Sequence, residues 1–487
     1  MPKLVLLWTD AAVWLLLLAV VFYVWQVARR PALIANWKRV FENAAAMGSS
    51  VVLVAALAVA VLDSVHYRPR LSALQGSSAV VYDSRTLSLL DGVLAPLVAG
   101  RESSYSAPLA YEAFAKQTVE AADGSTTRTY PRLTHGGAHL SDPAGEWTGD
   151  LLRRAVIGTL AGVAVAALGF VLLCALLARR AGEAWSRTAG AIVRGDTALP
   201  WRAAGAVFSL LAVAAGIVVA LAQGYHVLGT DRTGNDVLLQ SLKSLRTAFV
   251  IGTLSTVATL PLAVGLGIAA GYFKGWVDEA IQYLYTVLSS IPNVLLIAAC
   301  VLMMQVYLDT HAELFETGAE RSDLRLFMLC TILGLTGWAG LCRLLRAETL
   351  KLRELEYVQA AQAFGVSTWR IMRRHIFPNV VHLMLITTVL DFCALILYEA
   401  VLSYVGVGVD PSMNSFGGMI NLARSEMSRD PVVWWSFASA FGFMVALVLA
   451  ANLFADGVQV AFDPRARSFR PRLARRPGRP LADVASR

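Results

Sequence analysis

Nine apolar runs, most of them near the ~20 residues a helix needs to cross a hydrocarbon core, constrain this 487-residue chain more than any other feature. They fall at about 11–27, 46–62, 155–178, 203–222, 247–272, 277–306, 326–345, 380–405 and 432–460. A soluble domain cannot bury so many. With 56% hydrophobic and 16% charged residues, and a mean hydropathy of +0.57, the fold class reads as an all-α polytopic membrane protein with about nine transmembrane helices.

A formal charge of +8 first suggests nucleic acid as a partner, but Lys and Arg fall in blocks beside the apolar runs. The positive-inside bias places such blocks on the cytoplasmic face, so topology explains the basic balance more simply. Arg29, Arg30, Lys38 and Arg39 follow the first run, and Arg179, Arg180, Arg187, Arg194 and Arg202 separate the third from the fourth. Segment 343–375 carries seven Lys or Arg against three Glu, and 461–487 eight Arg against two Asp. By contrast 63–152 is richer in acids than in Lys and Arg, and 307–325 has five acids against Arg321 and Arg325. Nine spans with the N-terminus outside and the C-terminus inside satisfy every loop. The first run follows only Lys3 and has no small-residue cleavage pattern, so it reads as an anchor rather than a signal peptide. Cys174, Cys300, Cys330, Cys342 and Cys393 lie in or at the edges of apolar runs, with no disulfide framework or zinc spacing.

The polar segments carry what function can be read. In 63–152, runs at 79–82 and 86–90 suggest strands, and 107–114 suggests a helix opening at Pro108. His135 and His139 flank Gly136 and Gly137, which reads better as a solvated loop than as a metal site. The segment with His226, Gly229, Thr230, Asp231, Gly234 and Asp236 predicts a tight outer-face turn, then an interfacial helix to Arg246. Lys274 and Gly275 mark a short inner turn, and Pro292 divides the run after it into an interfacial start and a true span. Asp391 and Glu399 are ionisable residues well inside a span, eight positions apart and roughly on one helical face. Each costs about 2.5–3.5 kcal/mol at the bilayer centre, so they face either a solute path or an interhelical hydrogen bond at a subunit contact.

One polar stretch, 356–378, lies between apolar runs on the expected cytoplasmic side. Read as two short helices, it puts Ala360, Ala361 and Phe364 on one face, turns at Gly365, and resumes with Trp369, Ile371 and Met372 until Pro378 halts it. The chain has no Gly-x-x-x-x-Gly-Lys-Ser/Thr loop, no His-Glu-x-x-His helix and no Gly-x-Ser-x-Gly elbow. No catalytic or metal-ligating constellation is expected, and ATP hydrolysis by this chain alone is not.

These segments resemble the inner-membrane permease subunits of binding-protein-dependent ABC importers of the dipeptide and oligopeptide class. That family's cytoplasmic loop reads roughly Glu-Ala-Ala, three residues, Gly, then Ile-x-Leu-Pro. It is matched by Gln359, Ala360, Ala361, Gly365 and the sequence from His375 to Pro378, with Gln, His and Phe replacing Glu, Ile and Leu. His226 to Asp231 with Gly234 and Asp236 is similar to the family's His-Pro-Leu-Gly-Thr-Asp segment. Glu399 onward resembles Glu-x-x-Leu-Ser-Phe-Leu-Gly-Leu-Gly, and 461–465 its closing Asp-Pro-Arg. The resemblance implies a type I importer permease core at 223–465 with its coupling loop at 346–379, joined by a first core span at 46–62. The remainder reads as additions: an extra span and link at 1–45, an outer-face insert at 63–152, a further pair of spans at 153–222, and a basic tail at 466–487. It implies that Glu356, Gln359, Ala360, Ala361, Phe364, Gly365 and Pro378 form the ATPase-coupling segment. The implied partners are a second related permease, two ATPase subunits that carry the ATP and Mg, and an extracytoplasmic solute-binding protein, in a bacterial inner membrane. This chain itself is expected to bind no cofactor and no nucleic acid. Peptides, nickel complexes and peptide-like antibiotics all remain as solutes. An ion-coupled secondary transporter is the competing class, and a membrane receptor is disfavoured because the inner segments are too small for a signalling domain.

Overall fold

Backbone amides inside hydrocarbon have no water to bond, so apolar runs of this length close their hydrogen bonds within a helix. In the computed structural model, which describes residues 3–70, 82–83, 86–120, 126–311, 313, 315 and 317–462, they do so throughout. The first part runs through β1 (Lys3–Val5), α1 (Trp8–Arg29), α2 (Pro31–Glu42) and α3 (Ala44–Asp63). The polar segment 63–152 holds β2 (His66–Arg68), β3 (Leu87–Ser88), α4 (Leu89–Val93), α5 (Ala95–Ala99), β4 (Gln117–Glu120) and β5 (Thr126–Thr129). A helical hairpin follows, α6 (Pro143–Ala181) and α8 (Trp201–Ala222), with α7 (Trp185–Arg194) between its arms. The remainder is α9 (Val237–Phe273), α10 (Gly275–Ser290), α11 (Asn293–Thr310), α12 (Gly318–Gly337), α13 (Ala339–Arg353), α14 (Glu356–Ala363) and α15 (Thr368–Ile371). A π-helical turn (Met372–Ile376) then leads into α16 (Phe377–Tyr404), α17 (Phe416–Glu426) and α18 (Trp435–Phe462). Among the described residues, nine helical stretches are long and apolar enough to cross a membrane, as expected. The chain is built as a multi-pass membrane protein.

Helix α9 is the axis of the bundle, packing against α3, α12, α13 and α16. β1 pairs antiparallel with β2, Leu4 opposite Tyr67, and β2 pairs with β3. This brings the start of α1 beside the end of α3, so both lie on one face, as the charge-derived topology requires.

Several boundaries differ from expectation for physical reasons. No separate interfacial helix precedes the span at 247; α9 is one 37-residue rod from Val237. Nothing between 237 and 246 breaks a helix, and Arg246 is buried yet paired with Asp10 (2.7 Å) and Asp323 (3.4 Å), so it need not sit at the interface. Helix α6 likewise begins at Pro143 rather than at 155, taking residues assigned to the outer insert. The helix expected at 107–114 is absent. Its amides bond elsewhere, Leu109 N–H to the His226 carbonyl (2.9 Å) and Ala113 N–H to the Pro131 carbonyl (2.8 Å). Of the two strands expected in the insert, 79–81 lie outside the described residues. In 86–90, only Leu87–Ser88 is a strand, because Ser88 and Asp91 form a capping box that starts α4. Positions 463–465 and the basic tail also lie outside the described residues.

Candidate functional site

The segment 356–378 folds as an exposed knob on a buried base. Val358, Ile371 and Ile376 are fully buried in an apolar cluster with Leu345 and Val380. Helix α14 ends where Phe364 N–H bonds the Ala360 carbonyl (2.9 Å) and Val366 N–H reaches back to Ala361 (3.1 Å). Gly365 makes that reversal at φ +74°, a conformation that costs other residues about 1–2 kcal/mol. Phe364 is 87% exposed and Trp369 70%. Glu356, Gln359 and Ala360 are also exposed, whereas Ala361 is half-buried against the cluster. The expected single face is therefore split, since Ala360 and Phe364 point out together at i, i+4 spacing and Ala361 turns inward.

The base is pinned to the C-terminus of α9. Gln362 Nε2 donates to the Tyr272 hydroxyl (3.2 Å), the Arg353 guanidinium donates to the Tyr272 carbonyl, and Lys274 Nζ pairs with Glu354 Oε1 (2.7 Å). Gln359 Nε2 donates to the Glu354 carbonyl (3.3 Å). Pro378 does not halt the chain as expected. It occupies the first turn of α16, where its missing N–H is tolerated, directly after the π-helical turn. Asn379 Nδ2 donates to the His375 carbonyl (2.6 Å) and to the Tyr357 hydroxyl (3.2 Å), tying this junction to α14.

On the opposite face, the turn 226–236 is a latch closed by the insert. Asp236 caps α9 through the Leu238 N–H (2.8 Å), and the Asp231 carboxylate accepts from Thr233 N–H (2.8 Å) and Asn235 N–H (2.9 Å). Ser106 N–H donates to Thr230 Oγ1 (2.7 Å), Glu102 N–H to the Gly234 carbonyl (3.0 Å), and Trp435 Nε1 to the Thr230 carbonyl (2.9 Å). Gly234, at φ +78°, lies so close that a Cβ would fall 1.9 Å from the Glu102 carbonyl oxygen. Gly229 similarly leaves room for Ser106 and Trp435. His226 lies between two carboxylates, Nδ1 at 2.8 Å from Asp236 and Nε2 at 3.5 Å from Glu102. Burial alone would lower its pKa, but the two carboxylates outweigh burial and push it up to about 9. Glu102 is held well below the carboxylate range: burial opposes this, but His226, Thr134 and the Gly136 amide prevail.

Glu399 and Asp391 have different surroundings. Glu399 is buried, accepting from Ser403 Oγ (2.7 Å), with its carboxylate beside Gly417 at the start of α17. Asp391 is half-buried and makes no hydrogen bond or ion pair to the described residues. His139 pairs with Asp150 (2.7 Å), and among the described residues no group of His, Cys, Asp or Glu could hold a metal. Sequence reasoning missed Glu102, Ser106 and Trp435, whose partners are distant in the chain, and Tyr272, an aromatic in an apolar run. In the Asp10–Arg246–Asp323 group only Asp10 carried a signal, as an isolated acid at the start of an apolar run, whereas Arg246 and Asp323 have other charges within three residues.

Comparison with known proteins agrees with this layout. The sequence profile of the family described as "Binding-protein-dependent transport system inner membrane component" matches residues 263–468, from within α9 onward. An oligopeptide transport system permease protein of Mycobacterium tuberculosis is 31% identical over 245 residues, covering 50% of this chain and 78% of that protein. A glutathione transport system permease protein of Pectobacterium atrosepticum is 32% identical over 243 residues, 50% of this chain and 74% of that one. A dipeptide transport system permease protein of Lactococcus lactis is 28% identical over 243 residues, 50% and 64% respectively.

Proposed function

The chain belongs to the binding-protein-dependent transport system inner membrane components, and from that membership we propose that it forms half of the path of an ATP-driven importer for peptides or similar solutes. The relatives named for oligopeptide, dipeptide and glutathione transport support small peptides as the solute class. A second, related permease completes the path, a solute-binding protein delivers cargo at the outer face, and two ATPase subunits bind ATP and Mg. The chain performs no catalysis and holds no cofactor of its own.

The observation that carries this reading is the knob at 356–378. Phe364 and Trp369 stand in solvent while Val358 and Ile371 beneath them are buried, so the protruding aromatics suit a cleft on another subunit. The pins from Tyr272 and Lys274 join this surface to α9, so a push on the knob is passed to the bundle axis. ATP-driven closure of the partners can move the spans only if docking energy differs between the inward- and outward-open states. Asp391 and Glu399 lie on α16, whose movement would gate the path. Gly365→Asp, strained at φ +74°, or Ala361→Glu, which forces a charge toward the cluster, is expected to leave the protein inserted and abolish ATP-linked uptake. Normal uptake with coupled ATPase in reconstituted vesicles would remove this assignment. Uptake without any ATPase partner would favour an ion-coupled transporter instead.

A further inference from the structure

The hairpin α6–α8 forms one side of an open cleft of about 730 Å³ that none of the contacts above uses. The two helices touch backbone to backbone in their outer halves, where a Cβ on Gly158 would lie 2.5 Å from the Gly216 carbonyl oxygen. They splay toward the other end, leaving an apolar crevice walled by Phe170, Leu173 and Phe208, with Ile192 and Val193 of α7 at its end. Helix α7 has Trp185, Ile192 and Val193 on one side and Arg187 and Arg194 on the other, the pattern of a helix lying in a membrane interface.

Charge at the mouth is one-sided. The stretch joining α6 to α8 carries Arg179, Arg180, Arg187, Arg194 and Arg202 against Glu183 and Asp196, and the ion pair present among the described residues is a loose one between exposed Arg194 and Asp196 (3.8 Å). Arg202 lines the crevice itself and has no ion-pair partner among the described residues. An occupant must offer an apolar body long enough for the crevice and an anionic head at the cytoplasmic interface. Both belong to one molecule already present in the surrounding bilayer, and the crevice has room for one of its acyl chains while the rest stays in the leaflet.

We propose that the crevice between α6 and α8 binds one anionic phospholipid of the inner leaflet, an acyl chain lying along Phe170 and Phe208 and the phosphate on Arg202. The site gives the added hairpin a role distinct from the solute path. Native mass spectrometry of the full chain in detergent, supplied with equal phosphatidylglycerol and phosphatidylcholine, reads it directly. One phosphatidylglycerol per chain is expected to be retained in preference to phosphatidylcholine. Arg202→Gln is expected to weaken that retention about five-fold, while Arg202→Lys keeps it. Gly205→Leu, whose new Cβ meets no atom within 4 Å, fills the crevice and is expected to release the lipid without disturbing the fold. Equal retention of the two lipids, undiminished retention in Gly205→Leu, or a dimer that Gly205→Leu converts to monomer would each overturn the proposal, the last by showing a second copy in the crevice.

Discussion

At the scale of single residues, His226 makes the sharpest prediction because its charge depends on where the chain folds it. Its folded pKa near 9 lies above the ordinary 6.5, so its contribution is complete below about pH 6.5 and disappears as pH rises through about 9. Glu102 shifts the opposite way, and its contribution is complete above about pH 4.5 and lost only in acid. The latch between insert and turn is therefore firmest at mildly acidic to neutral pH and opens in alkali. Hydrogen exchange at the Leu109 amide, which bonds the His226 carbonyl, should accelerate between about pH 7 and 9 beyond the intrinsic rise. Glu102→Gln should move that acceleration to lower pH, and an unchanged profile would show that the latch does not depend on this charge. The sequence made His226, Asp231 and Asp236 legible as a polar turn because turn chemistry is local. It could not reveal Glu102 or Trp435, because neither carries a local signal and each meets the turn only after more than a hundred residues of chain have folded back.

At the scale of elements, the knob divides into parts that bear on stability and parts that do not. Phe364→Ala removes a side chain that is 87% exposed, so the chain alone should lose no more than about 0.5 kcal/mol. Ile371→Ala, at a fully buried position, should cost about 2–5 kcal/mol. Thermal unfolding in detergent separates the two, and uptake by the reconstituted importer should then fail in the Phe364 variant despite a normal melting temperature. A Phe364→Ala protein that melts normally and transports normally would show that the aromatic knob is not a docking group. Element existence was readable here, since runs such as 432–460 admit only a membrane helix. Element ends were not. Pro378 reads as a stop by its own chemistry, yet a helix start tolerates it equally, and only the preceding π-helical turn decides which. The single length of α9 depends on Asp10 and Asp323 neutralising Arg246, a tertiary fact that local propensity does not contain.

At the scale of the whole molecule, the pair of spans α6 and α8 is attached to the rest as an excisable hairpin. Its two ends meet on the outer face, where the Tyr225 hydroxyl donates to Asp150 Oδ2 (3.0 Å) and the Arg154 guanidinium lies 5.9 Å from the Tyr225 ring. Because the hairpin crosses the membrane twice, removing it leaves the direction of α9 and every later span unchanged. The face of α3 that it covers is apolar, with Val207 against Gly48, and lipid can replace such a contact at little cost because tails are as apolar as the side chains they meet. A chain with 155–222 replaced by a short Gly-Ser link is therefore expected to insert with 356–378 still on the cytoplasmic side. Cysteine accessibility at position 359 in closed and opened vesicles measures this. Such a chain should also lose the selective retention of phosphatidylglycerol, while any uptake it supports should remain ATP-linked. If 359 instead became reactive from outside, the hairpin would have to be counted as part of what orients the core, and the later spans would depend on it for their direction.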